Sequence, residues 1–237
     1  MLNKFFLPPD VFIRHWLVAR EIRKGPLRRL SGESLLDVGG SLAEFRKFIA
    51  KLEITTADVV AGADVVYNGQ KLPLDNASFD YVVSVDTLEH IPPEKRLGFV
   101  NDLVRVAKQR VVIIAPFASM QHDIYEKNLI LDFKKSEKKI PVYLTEHRKH
   151  GLISLGQLIE IGKSYPTAIY SLAGLVWLDK LNFAVHMFEV NPGKINRVIY
   201  ILKFIWNLVI NLISSLMIIN PDKNTASRVI IVIDKYN

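Results

Sequence analysis

The stretch Ser34-Leu35-Leu36-Asp37-Val38 runs directly into the pair Gly39-Gly40, and no other feature of the chain narrows its fold as much. Beyond the glycines, Leu42, Phe45, Phe48, Ile49 and Leu52 recur at helical period, so the segment reads as strand, glycine turn and helix. The alternation continues: short apolar runs at 54–58, 64–67, 81–85 and 110–115 read as strands, and Pro92-Pro93 opens a helix with Leu97, Val100, Val104 and Ala107 on one face. Ser154 and Gln157 form a capping box that starts a helix through Ile161, and runs at 167–172 and 228–233 supply the last strands. Strands alternating with helices predict an α/β domain with a mostly parallel sheet of seven strands, covered on both faces. The segment 117–148 is polar, rich in lysine and without clear periodicity, and is expected to be a long connection, either a substrate lid or a surface loop.

Apolar Phe12, Ile13, Trp16, Leu17 and Ile22 share helical spacing with basic Arg14, Arg20, Arg23 and Lys24, which predicts an amphipathic helix closed by Gly25-Pro26. A cover on the domain is favoured over a membrane-surface helix, since a basic amphipathic face is a weak membrane signal by itself. The expected organisation is an N-terminal helical segment over 1–30, a catalytic domain over 31–172 and 226–237, and a helical insertion over 173–225. A hydrophobic share of 49% in 237 residues is enough for one large core. The formal net charge of +7 favours an anionic partner, and an anionic membrane surface is one candidate. Nucleic acid is disfavoured, because the basic residues, among them Arg28, Arg29, Lys134, Lys135, Lys138 and Lys139, are not interleaved with aromatics as in a known nucleic-acid module. The absence of cysteine excludes disulfides and thiol nucleophiles and suits a reducing compartment. Phe5 to Leu7 is too short for a signal peptide, so the cytoplasm is expected, with a peripheral position at the inner face of the membrane as the variant.

A ligand with an adenosine and a charged tail binds at the carboxyl ends of parallel strands, where a glycine turn lets it approach the backbone and a helix supplies N–H donors. Asp37-Val38-Gly39-Gly40 is such a turn, and Asp58 falls at the end of the next strand, where a carboxylate accepts from ribose hydroxyls. Asn68-Gly69-Gln70-Lys71-Leu72-Pro73-Leu74 follows, and then Ser78-Phe79-Asp80 leads through Asp86 to Leu88-Glu89-His90. Together, over residues 34–116, these elements resemble the class I S-adenosylmethionine-dependent methyltransferases, in particular the group with an LP element, a strand beginning SFD and an LEH motif. The resemblance implies a Rossmann-like doubly wound sheet and S-adenosylmethionine as cofactor. It assigns Asp37, Gly39 and Gly40 to the methionine half, Asp58 to the ribose, Asn68 and Gly69 to the adenine side, and adds Asp86 to the cofactor-binding set. Asn68 stands where the family usually has aspartate, and its carbonyl can accept the same hydrogen bond. Ser41 and Ala43 stand where the family has its second and third glycines, and the turn lacks the G-x-G-x-x-G of a nicotinamide-dependent oxidoreductase.

Methyl transfer from a sulfonium is an in-line displacement, so positioning does much of the work and a base is needed only for a protonated hydroxyl or amine. His90, Glu146 and His147 are the candidates, with His147 preferred over His122 and His150. No metal is expected, since the histidines show no recognised ligand spacing. The reading is methyl transfer to oxygen or nitrogen of a small-molecule, sugar or lipid-linked acceptor. Its rivals are a noncatalytic binding module with the same fold and a peripheral membrane scaffold.

The insertion carries an apolar segment, 195–220, whose Lys203, Asn207, Asn211 and Ser215 are four residues apart and make one polar stripe on a helix. A lysine and two asparagines are costly in a bilayer, and a single crossing would separate the last strand from its own sheet. Interfacial insertion, packing on the domain and homo-oligomer formation remain as readings.

Overall fold

The computed structural model describes residues 2–24, 32–40, 44–49, 51–135, 137–173, 195–216 and 222–235. Ser41 and Ala43 of the glycine turn, Gly25-Pro26 and most of the 173–225 insertion on either side of its long helix lie outside these residues.

Seven strands form one sheet: β1 (Ser34–Val38), β2 (Glu53–Asp58), β3 (Val65–Val66), β4 (Phe79–Val85), β5 (Ala107–Pro116), β6 (Ala168–Ala173) and β7 (Arg228–Asp234), in the order β3-β2-β1-β4-β5-β7-β6. The sheet is mostly parallel; β7 runs against both of its neighbours, pairing Arg110 with Asp234 on one side and Ala168 with Ile233 on the other. This is the mixed α/β, Rossmann-like architecture expected from the alternating pattern.

Burial on both faces explains why the strands are nearly continuous apolar runs. Leu36, Val38, Val82, Val111 and Ile113 pack against α2 (Pro93–Val106) and α5 (Leu155–Ser164), while Leu35, Tyr81, Val83, Val112 and Ile114 pack against α1 (Pro9–Arg23) and Phe45, Phe48 and Ile49. Within α1, Phe12, Val18, Ala19 and Ile22 are fully buried, so this helix is a cover on the sheet. The Arg110 guanidinium ties it down by donating to Glu21 O at 2.7 Å while pairing with Asp234 at 2.6 Å. The capping box forms as expected, Ser154 Oγ accepting from Gln157 N and the Gln157 side chain from Ser154 N.

Two expectations are corrected. The helix expected after the glycine turn is a 3-10 turn, Glu44–Lys47, with Leu52 beyond it. With β2 starting at Glu53, one turn is enough to lay Phe45, Phe48 and Ile49 on α1. The segment 117–148 is a pair of helices, α3 (Met120–Lys135) and α4 (Val142–His150). Their inward residues include Glu126 and His147 beside Leu129 and Leu144, and this mixture erases the hydrophobic period.

The long helix of the insertion is α6 (Ile195–Leu216). Its polar stripe has a protein partner: Asn211 Nδ2 donates to Phe5 O and Leu7 O, both at 2.9 Å, and Asn207 Nδ2 to Phe6 O at 3.3 Å. The Phe204 ring stacks on Phe6 at 4.0 Å between centroids. No helix among the described residues is long and apolar enough to cross a membrane.

Candidate active site

At the end of β1 the backbone must turn sharply under the next loop, and Gly39 does so at φ +85°. A Cβ there would lie 2.0 Å from Thr87 Oγ1, and one on Gly40 would lie 2.2 Å from the Asp37 carboxylate. Both glycines are therefore fixed by close approach, Gly39 to the loop after β4 and Gly40 to the side chain three residues before it. Asp37 is buried, and its Oδ1 has no hydrogen-bond partner among the described residues. Burial, with the Asp58 charge adding to it, pushes the Asp37 carboxyl up to about 7.

A cavity of about 800 Å³ opens at the carboxyl ends of β1, β2 and β4, between Gly39, Asp58, Val59, Tyr67, Gly69 and Thr87, and extends along α2. The sheet order reverses direction between β1 and β4, so this is the switch-point crevice where open α/β sheets hold their ligands. Asp58 Oδ1 accepts from Val59 N at 2.6 Å and Val60 N at 3.3 Å, which fixes its carboxylate at the rim. Gly69 lines the cavity at φ +76°. Asn68 departs from expectation: it is not among the lining residues, and its Oδ1 accepts from Gln70 N at 3.0 Å, closing a local turn. Asp37 and Gly40 lie beneath the lining, supporting the turn.

A second cavity, of about 390 Å³, is enclosed by α1, α3, α4 and the ends of β4, β5 and β7. His90 belongs to both cavities. It sits in a 3-10 turn, Leu88–His90, with Nδ1 2.6 Å from Glu146 Oε2 on α4. His147, also on α4, is buried, with Nδ1 2.7 Å from Glu126 Oε1 on α3. His122 also lines the cavity, with Nδ1 2.8 Å from Ser227 O and Nε2 3.4 Å from the same Glu126 oxygen, whereas His150 is not in the lining. Burial would raise the Glu126 carboxyl, but the hydrogen bonds from His122 and His147 outweigh it and hold it at about 2.

Asp86, which the resemblance adds to the cofactor-binding set, lines this second cavity and not the first. It turns at φ 50° toward α1 and β7, where Arg14 and Arg228 both ion-pair with it. Burial alone would raise its carboxyl, and the two guanidiniums reverse that and hold it below the usual carboxylate range. The partners lie 72 and 142 residues away in sequence, so no local pattern marks them. Glu89, His90 and His147 also come together here, one ligand atom from each lying within 4.8 Å of the others, a grouping that their sequence spacing does not show. Sequence reasoning also missed Thr87, Arg14, Glu126 and Arg228 as site residues.

Residues 40–115 match the family described as methyltransferase domain. That match covers about a third of the chain and lies over the strands and turns that line the first cavity. Among solved structures, the plantazolicin methyltransferase BpumL in complex with SAH is similar at 12% identity, covering 97% of this chain and 85% of that one with a TM-score of 0.53. A protein from Galdieria sulphuraria assigned as a sarcosine dimethylglycine methyltransferase is similar at 13% identity, covering 95% and 87%, with a TM-score of 0.53. These likenesses are of fold. No curated protein matches the chain in sequence.

S-adenosylmethionine is the cofactor that the resemblance implies, and the site residues fit it: a buried Asp37 oxygen has no donor among the described residues, and the turn at Gly39 and Gly40 has room for no side chain. When bound, the cofactor supplies an electrophilic methyl group on a sulfonium. Asp37 also sets a pH dependence. A carboxyl whose folded pKa of about 7 exceeds its unfolded value of 3.8 stabilises the fold while protonated, below the unfolded value, and that stability is lost as pH rises through 7. Asp37→Asn is therefore expected to unfold at higher urea than the native chain at pH 8, with the gap narrowing at pH 5 and closing only below the unfolded value. Equal urea midpoints at pH 8 would exclude a buried, costly Asp37.

Proposed function

We propose that the chain transfers the methyl group of S-adenosylmethionine to an oxygen or nitrogen of an acceptor held in the second cavity. The observation that carries this is His90, whose side chain lines both cavities and so marks where a cofactor in one and an acceptor in the other meet. A displacement reaction needs this juxtaposition above all, because alignment supplies much of the rate.

The walls suit a polar acceptor with a flat or apolar part. Tyr125, Tyr143 and Leu129 offer apolar surface, while Glu89, His90, His122 and His147 crowd one side. At about 390 Å³ the cavity is near the small end of ligand sites, which fits a small molecule or the reacting end of a sugar or lipid-linked acceptor. Removal of the acceptor's proton falls to the group where Glu89, His90 and His147 converge, and Glu146 and Glu126 orient the two rings through Nδ1. Arg14 and Arg228 neutralise Asp86 and keep that side of the cavity from accumulating negative charge.

Calorimetric titration with S-adenosylhomocysteine tests the cofactor half. Asp58→Ala removes a charged acceptor at the rim and is expected to weaken binding by roughly 10-fold or more. Native affinity in this variant would remove Asp58 from the site, and no binding by the native chain would sink the whole reading. Methylation of hydroxyl- and amine-bearing acceptors, abolished by Leu129→Trp in the second cavity, tests the acceptor half.

A further inference from the structure

Both histidines of the second cavity are held in the same way. His90 Nδ1 meets Glu146 Oε2 at 2.6 Å and His147 Nδ1 meets Glu126 Oε1 at 2.7 Å, so each ring has one nitrogen fixed by a carboxylate. The opposite nitrogens converge on a third carboxylate: Glu89 Oε1 lies 3.8 Å from His90 Nε2 and 4.0 Å from His147 Nε2. Glu89 is 1% exposed, and its other oxygen, Oε2, has no hydrogen-bond partner. A buried carboxylate with an orphaned oxygen, facing two nitrogens at distances too long for hydrogen bonds, is poorly satisfied by the protein alone.

We infer that Glu89, His90 and His147 bind a divalent transition-metal cation through the Glu89 carboxylate and the two Nε2 atoms. Three observations converge on this. The donor set of two imidazoles and one carboxylate suits Zn²⁺, Fe²⁺, Mn²⁺ or Co²⁺ and leaves coordination positions open. Carboxylates bonded to Nδ1 fix the tautomer that presents Nε2 to a metal and raise its basicity, as the partners of metal-bound histidines do. The ligand atoms already lie within 4.8 Å of one another, whereas tetrahedral coordination at about 2.0–2.1 Å needs them roughly 3.3 Å apart. Closing that gap takes small side-chain rotations of the three ligands.

The open positions face the cavity assigned above to the acceptor; with the three groups occupied as ligands, the cation would replace them in the base's role by acidifying an oxygen-bearing acceptor group that coordinates it. This last step rests on the proposed methyl transfer, and cation binding itself does not.

Zn²⁺ titrated by calorimetry into the chelator-treated full-length chain is expected to bind one per chain at micromolar Kd or tighter. Two variants at part-exposed positions test the assignment without emptying the core: His90→Ala should lose at least 100-fold in affinity, and Glu146→Gln, which removes only the orienting carboxylate, 10- to 100-fold. Absence of stoichiometric binding by the native chain, or native-like binding by His90→Ala, overturns the site. S-adenosylhomocysteine titrated into the same samples separates the two ideas: cofactor binding without Zn²⁺ binding removes the metal site alone, and Zn²⁺ binding without cofactor binding removes the methyl-transfer reading alone.

Discussion

Gly39→Ala is expected to reduce the affinity for S-adenosylhomocysteine at least 100-fold. Two penalties coincide at this residue. At φ +85° an L-residue is strained by roughly 1–2 kcal/mol, and the added Cβ would sit 2.0 Å from Thr87 Oγ1 and 3.1 Å from Thr87 Cβ. The first can only be relieved by turning the backbone and the second by pushing the loop after β4 outward. Either movement displaces a wall of the cofactor cavity, because Gly39 and Thr87 both line it. A hundredfold loss corresponds to about 2.7 kcal/mol, within the range of these penalties together. The double variant Gly39→Ala, Thr87→Ala removes the clash with Oγ1 and keeps the backbone strain, so it should recover part of the loss. Binding by the single variant within threefold of native would mean that the turn does not shape the cavity.

That prediction rests on a part of the molecule that was readable in advance. Strand, turn and acid are close in sequence, and a glycine pair after an apolar run has few structural uses. Gly39, Asp58 and Gly69 line the first cavity, and Asp37 and Gly40 pack against each other at the turn beside it. Asn68 stands beside that lining with its Oδ1 accepting from Gln70 N, a local turn that composition does not reveal. The second cavity was largely hidden. Its groups come from α1, the loop after β4, α3, α4 and β7, and they meet only when the sheet is assembled. The helices α3 and α4 escaped for a related reason. Their inner faces carry Glu126 and His147, and part of their hold on each other is ionic, with Arg148 of α4 pairing with Asp123 of α3 at 2.6 Å. A search for apolar periodicity passes over an interface built from charges. His90 and His147 were singled out as isolated bases, and what sequence could not supply was their common neighbour Glu89.

The same blindness to buried charge applies to Arg96, which a search for the apolar period of α2 passes over and which is 3% exposed in the fold. From α2 its Nε donates to Ile91 O at 3.0 Å, just past the turn that carries Glu89 and His90. One guanidinium nitrogen donates to Gln157 Oε1 at 2.9 Å on α5, and the other to His150 O at 3.2 Å and to Gly151 O at the end of α4. The carbonyls at a helix C-terminus lack intrahelical donors, and here a buried cation supplies them. Arg96 is thus the common anchor of α2, α4, α5 and the histidine-bearing turn. Arg96→Met fills a similar volume and withdraws every donor, leaving several inward-facing carbonyls unpaired; the expected cost is about 3–5 kcal/mol in urea unfolding. Arg96→Lys should recover only a fraction, since an ammonium on a single stem cannot reach Ile91, Gln157 and the end of α4 at once. A loss below about 1 kcal/mol for the methionine variant would mean that water replaces the guanidinium, and that the two histidines are positioned by α4 alone.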